Sequence, residues 1–312
     1  LRILFMGTPD FAVPCLQSLL DAGHEVCAVF TQPDKPKGRG YAMTPPPVKV
    51  LALAHNLPVY QPTTLRTQEA AQQIREMQPA CIVVVAYGKI LPKEILEIPP
   101  YGCINVHASL LPKYRGAAPI QWSVLNGDAE TGVTTMYMAE GLDTGDMLLK
   151  ARTAIGPEET AGELHDRLAK MGAELIVETL RAVAEGTIQR TPQGDAETCY
   201  ASMLTKELGK IDWNRPAREL HNLVRGLSPW PVAETVYRQK RLKVHRATVV
   251  PGFGGAPGEV ARRKDRFVVA CGDNTALELE IVQYEGGKRM GGKEFLCGHR
   301  LDQGAVLGEA KE

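Results

Sequence analysis

Residues 1–31 read LRILFMGTPDFAVPCLQSLLDAGHEVCAVFT, and the alternation inside this stretch decides the fold. Leu1 to Met6 is an apolar run that stops at Gly7-Thr8-Pro9, as a buried strand feeding a turn would. Phe11 to Leu20 then carries apolar residues at helical spacing, and Glu25 to Thr31 returns to strand character. Strand, helix and strand in so short a span make a βαβ unit, whose strands run parallel. Further along, Val48 to His55 reads as a short helix, and Thr64 to Met77 is rich in helix formers. Cys81 to Ala86 and Gly102 to His107 read as strands, and Ala117 to Leu125 as a helix. The expected fold is α/β, a doubly wound and mostly parallel sheet with helices on both faces. Gly132 to Met138 and Met147 to Ile155 read as consecutive strands around the turn-rich segment Ala139 to Asp146, an antiparallel ending to the sheet. Thr160 to Ala184 places Leu164, Leu168, Leu175, Ile176, Leu180 and Val183 on one face of a long helix that Gly186 stops.

Periodicity fades between Thr187 and Leu204, so a first domain is expected over 1–186, a linker over 187–204 and a second domain over 205–312. That last part offers one helix, Pro216 to Val224, and then short β-like runs: Ala233 to Tyr237, Leu242 to Val249, Gly258 to Val260, Phe267 to Cys271 and Ala276 to Val282. Short strands at regular spacing point to a small β-barrel or sandwich.

The 312 residues hold 36 basic and 36 acidic side chains, which taken as a sum argues against a nucleic-acid partner. The sum hides a division. Residues 1–204 carry 17 basic and 22 acidic residues, net −5, whereas residues 205–312 carry 19 and 14, net +5. The basic residues of the second part cluster at Arg238 to Arg246, Arg262 to Arg266 and Lys288 to Lys293. One electropositive face for a phosphate backbone would produce this pattern; so would an ordinary solvated surface.

The longest apolar run, Cys81 to Ala86, is far too short for a membrane span of roughly 20 residues. No charged-then-apolar leader opens the chain, so no secretory signal is expected, and the absent Met points to a processed or trimmed start. The seven cysteines are odd in number and contain no CxxC pair, so reduced thiols in a cytoplasmic protein are expected, without a metal site. No extended apolar helix stripe calls for a partner, and a monomer is expected. GxGxxG, the Walker A sequence and GxSxG are all absent, which removes support for a dinucleotide cofactor, a P-loop nucleotide and a serine hydrolase.

Three stretches could do chemistry. Asn105 and His107 lie two apart at the end of a strand, so their side chains emerge on one face, at the carboxyl edge where open α/β sheets hold ligands. An Asn there can donate to a developing oxyanion, and a His can move a proton near neutral pH. A turn cap and a structural histidine would leave the same pattern. Asp143 sits in Gly141-Leu-Asp-Thr-Gly145, where a carboxylate could be held toward a histidine or could simply shape the turn. Thr31 to Pro47 has five prolines, two glycines and Lys35, Lys37 and Arg39 against Asp34, too long and basic for a routine connection. A basic arm reaching for phosphates and a merely mobile surface loop both fit it.

The run Asn105-Val-His107-Ala-Ser109-Leu-Leu-Pro112-Lys-Tyr-Arg115-Gly116-Ala-Ala-Pro119, followed by Gly141-Leu-Asp143-Thr-Gly145, resembles the folate-dependent formyltransferases. So do Phe5-Met-Gly7-Thr-Pro9-Asp-Phe11, Gln32-Pro-Asp34, Ala86-Tyr-Gly88-Lys, Ile211-Asp-Trp213 and Ser228-Pro-Trp230-Pro, over nearly the full length. The resemblance implies a Rossmann-like formyltransferase domain, a C-terminal barrel similar to an OB-fold that lies along tRNA, and no metal. It implies transfer of a formyl group from 10-formyltetrahydrofolate to the α-amino group of methionine on initiator tRNA, releasing tetrahydrofolate. Asn105, His107 and Asp143 match the family's catalytic trio; Ser109, Leu110, Leu111 and Pro112 match its folate-contacting loop. Lys35, Lys37 and Arg39 match the loop that enters the tRNA acceptor region.

An α-amino group has a pKa near ~8, so little is needed to keep this nucleophile neutral. Three rivals share parts of the pattern: a formyltransferase acting on a nucleotide sugar or other small amine, a folate hydrolase using the trio on water, and a non-catalytic RNA-binding protein. The long basic loop and basic second domain favour the tRNA substrate over the first two, and the intact trio speaks against the third.

Overall fold

The computed structural model describes residues 1–37, 42–194, 197–261, 265–299, 301 and 304–308. The chain divides into two compact units, one of residues 1–119, 131–153 and 165–201, the other of 120–130, 154–164 and 202–312.

The first half runs β1 (Arg2–Gly7), α1 (Val13–Asp21), β2 (Glu25–Phe30), β3 (Lys35–Lys37), β4 (Ala42–Thr44), α2 (Pro47–Ala54), β5 (Val59–Tyr60), α3 (Gln68–Met77), β6 (Cys81–Val85), α4 (Lys93–Leu96), β7 (Cys103–His107) and β8 (Arg115–Gly116). Then come α5 (Pro119–Leu125), β9 (Glu130–Tyr137), β10 (Met147–Ala154), α6 (Ala161–Ala184) and β11 (Tyr200–Ala201). Seven strands form one sheet in the order β10-β9-β7-β6-β1-β2-β5. The pairs β2–β5, β1–β2, β1–β6 and β6–β7 are parallel, and β9 joins β7 antiparallel. This is the doubly wound, mostly parallel sheet that the alternation predicts.

Burial on both faces explains the near-continuous apolar strands. Leu4, Met6, Ala28, Phe30, Ile82, Val84 and Cys103 share one core with Ala70, Ala71 and Ile74 of α3 and Ile95 of α4. On the opposite face, a Cβ at Gly172 of α6 would lie 3.0 Å from Val106 and 3.7 Å from the Cys15 sulfur of α1. Each fully buried aliphatic side chain contributes about 1.5–3 kcal/mol, so the alternate residues of a strand hold both helix layers at once. The start of α6 is visible in sequence: Thr160 and Glu163 form a capping box, with Thr160 N–H donating to Glu163 at 2.8 Å and Glu163 N–H to Thr160 at 3.2 Å.

Strand order reverses between β1 and β6. From β1 the chain goes outward to β2 and β5, then returns to β6 on the other flank. A ligand crevice is expected at the carboxyl ends beside such a reversal, and β7, next to β6, ends there at His107.

The stretch expected as a linker is partly held by the first unit. Thr191 exchanges backbone bonds with Met147, 2.8 and 2.9 Å, and Tyr200–Ala201 pairs in parallel with Arg115–Gly116. Bonds to strand edges left no trace in hydrophobic periodicity, because they involve main chain rather than buried side chains.

The second unit adds α7 (Ala217–Gly226), β12 (Ala233–Tyr237), β13 (Lys240–Pro251), β14 (Val268–Ala270), β15 (Thr275–Tyr284), β16 (Arg289–Gly291) and α8 (Gly292–Gly298). Its five-stranded sheet runs β12-β13-β15-β14, with β16 also on β15. All of these ladders are antiparallel. Among the described residues the named strands by themselves form an open path. Phe295 stacks on Phe267 at 5.4 Å and meets Tyr237 and Tyr284 edge-on, which fixes α8 to the sheet.

Candidate active site

Asn105 and His107 point to the face of β7 that Cys103 shares with the α3–α4 core, beyond the reach of that core. Asn105 is 8% exposed, and among the described residues its amide has no hydrogen-bond partner. Its amide atoms are not fully enclosed, so they stay reachable from the sheet edge. Asn105 Nδ2 is thus free to donate to an oxygen arriving at the sheet edge.

His107 is anchored from its far nitrogen. Nε2 lies 2.8 Å from the carbonyl oxygen of Tyr114, and a carbonyl only accepts, so Nε2 carries the hydrogen. In the neutral ring Nδ1 is then the open base. Oδ2 of Asp143 lies 3.8 Å from Nδ1, too long for a hydrogen bond but close enough to stabilise an imidazolium. The ring is thus held at Nε2 by the Tyr114 carbonyl, with the Asp143 carboxylate near its open Nδ1.

Asp143 itself is fixed by backbone. Gly116 N–H donates to Oδ2 at 2.9 Å, and Gln193 Nε2 donates to the carbonyls of Asp143 and Gly145, both at 2.8 Å. Arg115 Nε in turn donates to Gln193 Oε1 at 3.0 Å. Gly116 has φ +114°, and a Cβ there would lie 2.7 Å from the Ala201 carbonyl oxygen, so only glycine brings that N–H to the carboxylate. Neither Gln193 nor the Tyr114 carbonyl is a site residue in the sequence reading. Gln193 lies 50 residues beyond Asp143 in the expected linker, and main-chain acceptors carry no sequence signature.

The 109–112 turn is held mainly from below. Ser109 is fully buried, its hydroxyl donating to Lys113 O at 2.6 Å, while its own carbonyl accepts from Thr134 at 2.7 Å. Leu111 packs with Met136 and Met147. Lys150 Nζ donates to the Leu111 carbonyl at 2.6 Å, and burial, with Arg152 nearby, holds its pKa below the ordinary lysine value. Leu110 and Pro112 are half-buried, with Leu110 resting over Gly132 of β9.

The basic loop contains an antiparallel hairpin, with Lys35 opposite Thr44 and Lys37 opposite Ala42. Lys35 is exposed. Arg39 lies outside the described residues. At the base of the hairpin Asp34 accepts from Lys49 at 2.9 and 3.0 Å and from Gln61 at 2.7 Å, and these bonds hold its carboxyl below the ordinary value.

In the second unit, part of the basic surplus is paired internally. Arg246 meets Glu280 at 2.9 Å, Lys293 meets Asp265 at 3.0 Å, and Arg266 pairs with Glu278. Lys243 lies opposite Gln283 on β15, which lies opposite Arg289 on β16, so the two cations share a row across three strands. His245 lies 3.1 Å from Gln283, and its pKa is pushed below 6.5 by burial and by Arg289 and Lys243.

Among the described residues no cluster of three or more His, Cys, Asp or Glu could hold a metal ion, and no helix is long and apolar enough to cross a membrane. Comparison with known proteins gives a consistent picture. Residues 1–180 match the family model described as formyl transferase, and residues 203–300 its C-terminal domain. The chain is 53% identical over 311 residues to a methionyl-tRNA formyltransferase of Alkaliphilus oremlandii, covering 99% of this chain and 100% of that one. It is 54% identical over 309 residues to the methionyl-tRNA formyltransferase of Geobacter metallireducens, covering 99% of each. Among solved structures, an N-formyltransferase from Helicobacter canadensis, in complex with folinic acid and dTDP-3-aminofucose, shares the fold. Its TM-score is 0.68 at 19% identity, over 89% of this chain and 98% of that one.

Proposed function

The chain belongs to the formyl transferase family, and from that premise we propose that it moves the formyl group of 10-formyltetrahydrofolate to the α-amino group of methionyl initiator tRNA. The observation that carries this reading is identity above 50% along the whole chain to proteins named for that reaction, both units included. The site suits the donor. The unpartnered Asn105 amide beside the 109–112 turn is an opening for a carbonyl oxygen with no polar demand of its own left over.

The bound folate supplies an activated formyl group whose leaving nitrogen belongs to the pterin-bearing part. Asn105 donates to the formyl oxygen as negative charge builds there. His107 Nδ1 takes the proton that the attacking amine must lose, and the Asp143 carboxylate at 3.8 Å stabilises the imidazolium. The same proton passes to the departing folate nitrogen as its bond to the formyl carbon breaks and tetrahydrofolate leaves. Because the side chains of Ser109 and Leu111 are turned inward, contact with folate from this turn falls to Leu110, Pro112 and the main chain. Lys35, Lys37 and Arg39 serve the tRNA acceptor end.

We assign the second unit to the tRNA and read it as a small barrel of the OB type. Hydrogen bonds support closure beyond the named strands: Ala261 N–H to Val268 O at 2.8 Å, Val260 N–H to Ala305 O at 2.9 Å, and Gly308 N–H to Val236 O at 2.9 Å. They form a continuous path from β14 through 258–261 and 305–308 to β12. All seven cysteines are free thiols, four of them buried, the usage of a reducing compartment such as the cytoplasm.

The test is transfer of label from 10-formyltetrahydrofolate to charged initiator tRNA with a free nucleotide-linked amino sugar in competition. Label on tRNA alone is expected. Label on the sugar with none on tRNA would replace this reading by the small-molecule one.

A further inference from the structure

Tyr200 is 64% exposed although its main chain is pinned in β11 against β8. Its ring lies over Gly116: a Cβ at that glycine would be 2.7 Å from Cε2 and 3.1 Å from Cδ2. One part of the ring is thus backed by the segment whose N–H holds Asp143, and the rest is open. Measured through the Gly116 backbone, the ring edge is within about 8 Å of the Asp143 carboxylate. An aromatic side chain in a two-residue ladder, next to the proton-handling pair and 64% exposed, offers a flat face at the mouth of the site.

The substrate's chemistry says what would use it. Methionine is esterified to the ribose of the tRNA's terminal adenosine, so the adenine is tethered close to the amine that must reach His107. The pterin end of the folate needs enclosure, which this exposed ring does not give. An adenine at the end of a single strand needs only one face to stack on. Resting on the tRNA reading above, we propose that Tyr200 is the stacking platform for the terminal adenine and so positions the amino group for attack.

Binding of deacylated initiator tRNA ending in CCA, and of the same tRNA trimmed to CC, separates the possibilities. Loss of one base–aromatic stack corresponds to roughly tenfold in affinity. The full-length wild-type protein should therefore lose about tenfold on trimming. Tyr200→Phe should lose the same, whereas Tyr200→Ala and Tyr200→Leu should bind both tRNAs alike. In turnover, Tyr200→Leu should raise KM for methionyl-tRNA with KM for 10-formyltetrahydrofolate unchanged. Leucine keeps bulk over Gly116, so a merely structural role for the ring would leave its behaviour close to wild type. If Tyr200→Leu still loses tenfold on trimming, the platform lies elsewhere. If wild type formylates no tRNA at all, the functional reading falls instead, and the two failures are distinct.

Discussion

Asn105 combines near-complete burial with an amide that has no partner among the described residues. No hydrogen bond to a described residue is lost when that amide is removed, so the effect of removing it tests the role proposed for it in the reaction. Asn105→Ala is expected to lower kcat on the order of 100-fold or more, with folate affinity little changed; equilibrium binding and single-turnover rates measure the two separately. Gly116 is the opposite case. A side chain at φ +114° facing the Ala201 carbonyl forces the loop to shift and withdraws the N–H from Asp143. Gly116→Ala should cost roughly 1–3 kcal/mol in thermal unfolding and reduce kcat as well. That Asn105 and His107 end one strand on one face was legible, because strand period is a sequence property. The groups that hold the His107 ring and the Asp143 loop were not, being a carbonyl at Tyr114 and a glutamine in a stretch without periodicity.

At the scale of elements, the basic hairpin shows how a loop that reads as an unstructured arm is given a fixed root. Proline and glycine content predicts irregularity, yet Lys49 and Gln61 converge on Asp34 from α2 and the segment after β5. Lys49→Ala should loosen the hairpin, raising KM for tRNA without altering folate KM, and limited proteolysis around Lys35 to Thr44 should quicken. The two-residue β5 left no pattern to read, whereas β1, β2 and β6 announce themselves because both faces are buried. In the second unit, His245 makes the sheet sensitive to acid. Unfolded, its imidazole protonates near 6.5; folded, burial and the Arg289 and Lys243 charges hold it lower. Below pH 6.5 the unfolded state binds more protons, so stability is full above that pH and declines as pH falls through the window. Chemical denaturation at a series of pH values should show this decline, and His245→Gln should flatten it.

For the whole molecule, the net charge of zero conceals a division between −5 and +5 at residue 204, which is visible in the sequence. What the sequence does not reveal is which positive charges are already spent. Arg246, Arg266 and Lys293 face carboxylates of their own unit, whereas among the described residues Lys243 and Arg289 have no ion-pair partner. A phosphate backbone displaces counterions only from cations it neutralises, and each such contact adds about 0.7–0.9 to the slope of log affinity against log salt. Lys243→Ala or Arg289→Ala should therefore lower that slope by about 1 for initiator tRNA. Arg246→Ala should change it less, since Glu280 already compensates Arg246 at 2.9 Å. Binding isotherms between low and moderate salt decide the matter. Equal slopes for all three variants would mean that the tRNA reads only the net charge of the unit, and the row across β13, β15 and β16 would lose its role. A reduced slope for Lys243→Ala and Arg289→Ala alone would place the phosphates on that row, where two strand pairings set the spacing of the cations.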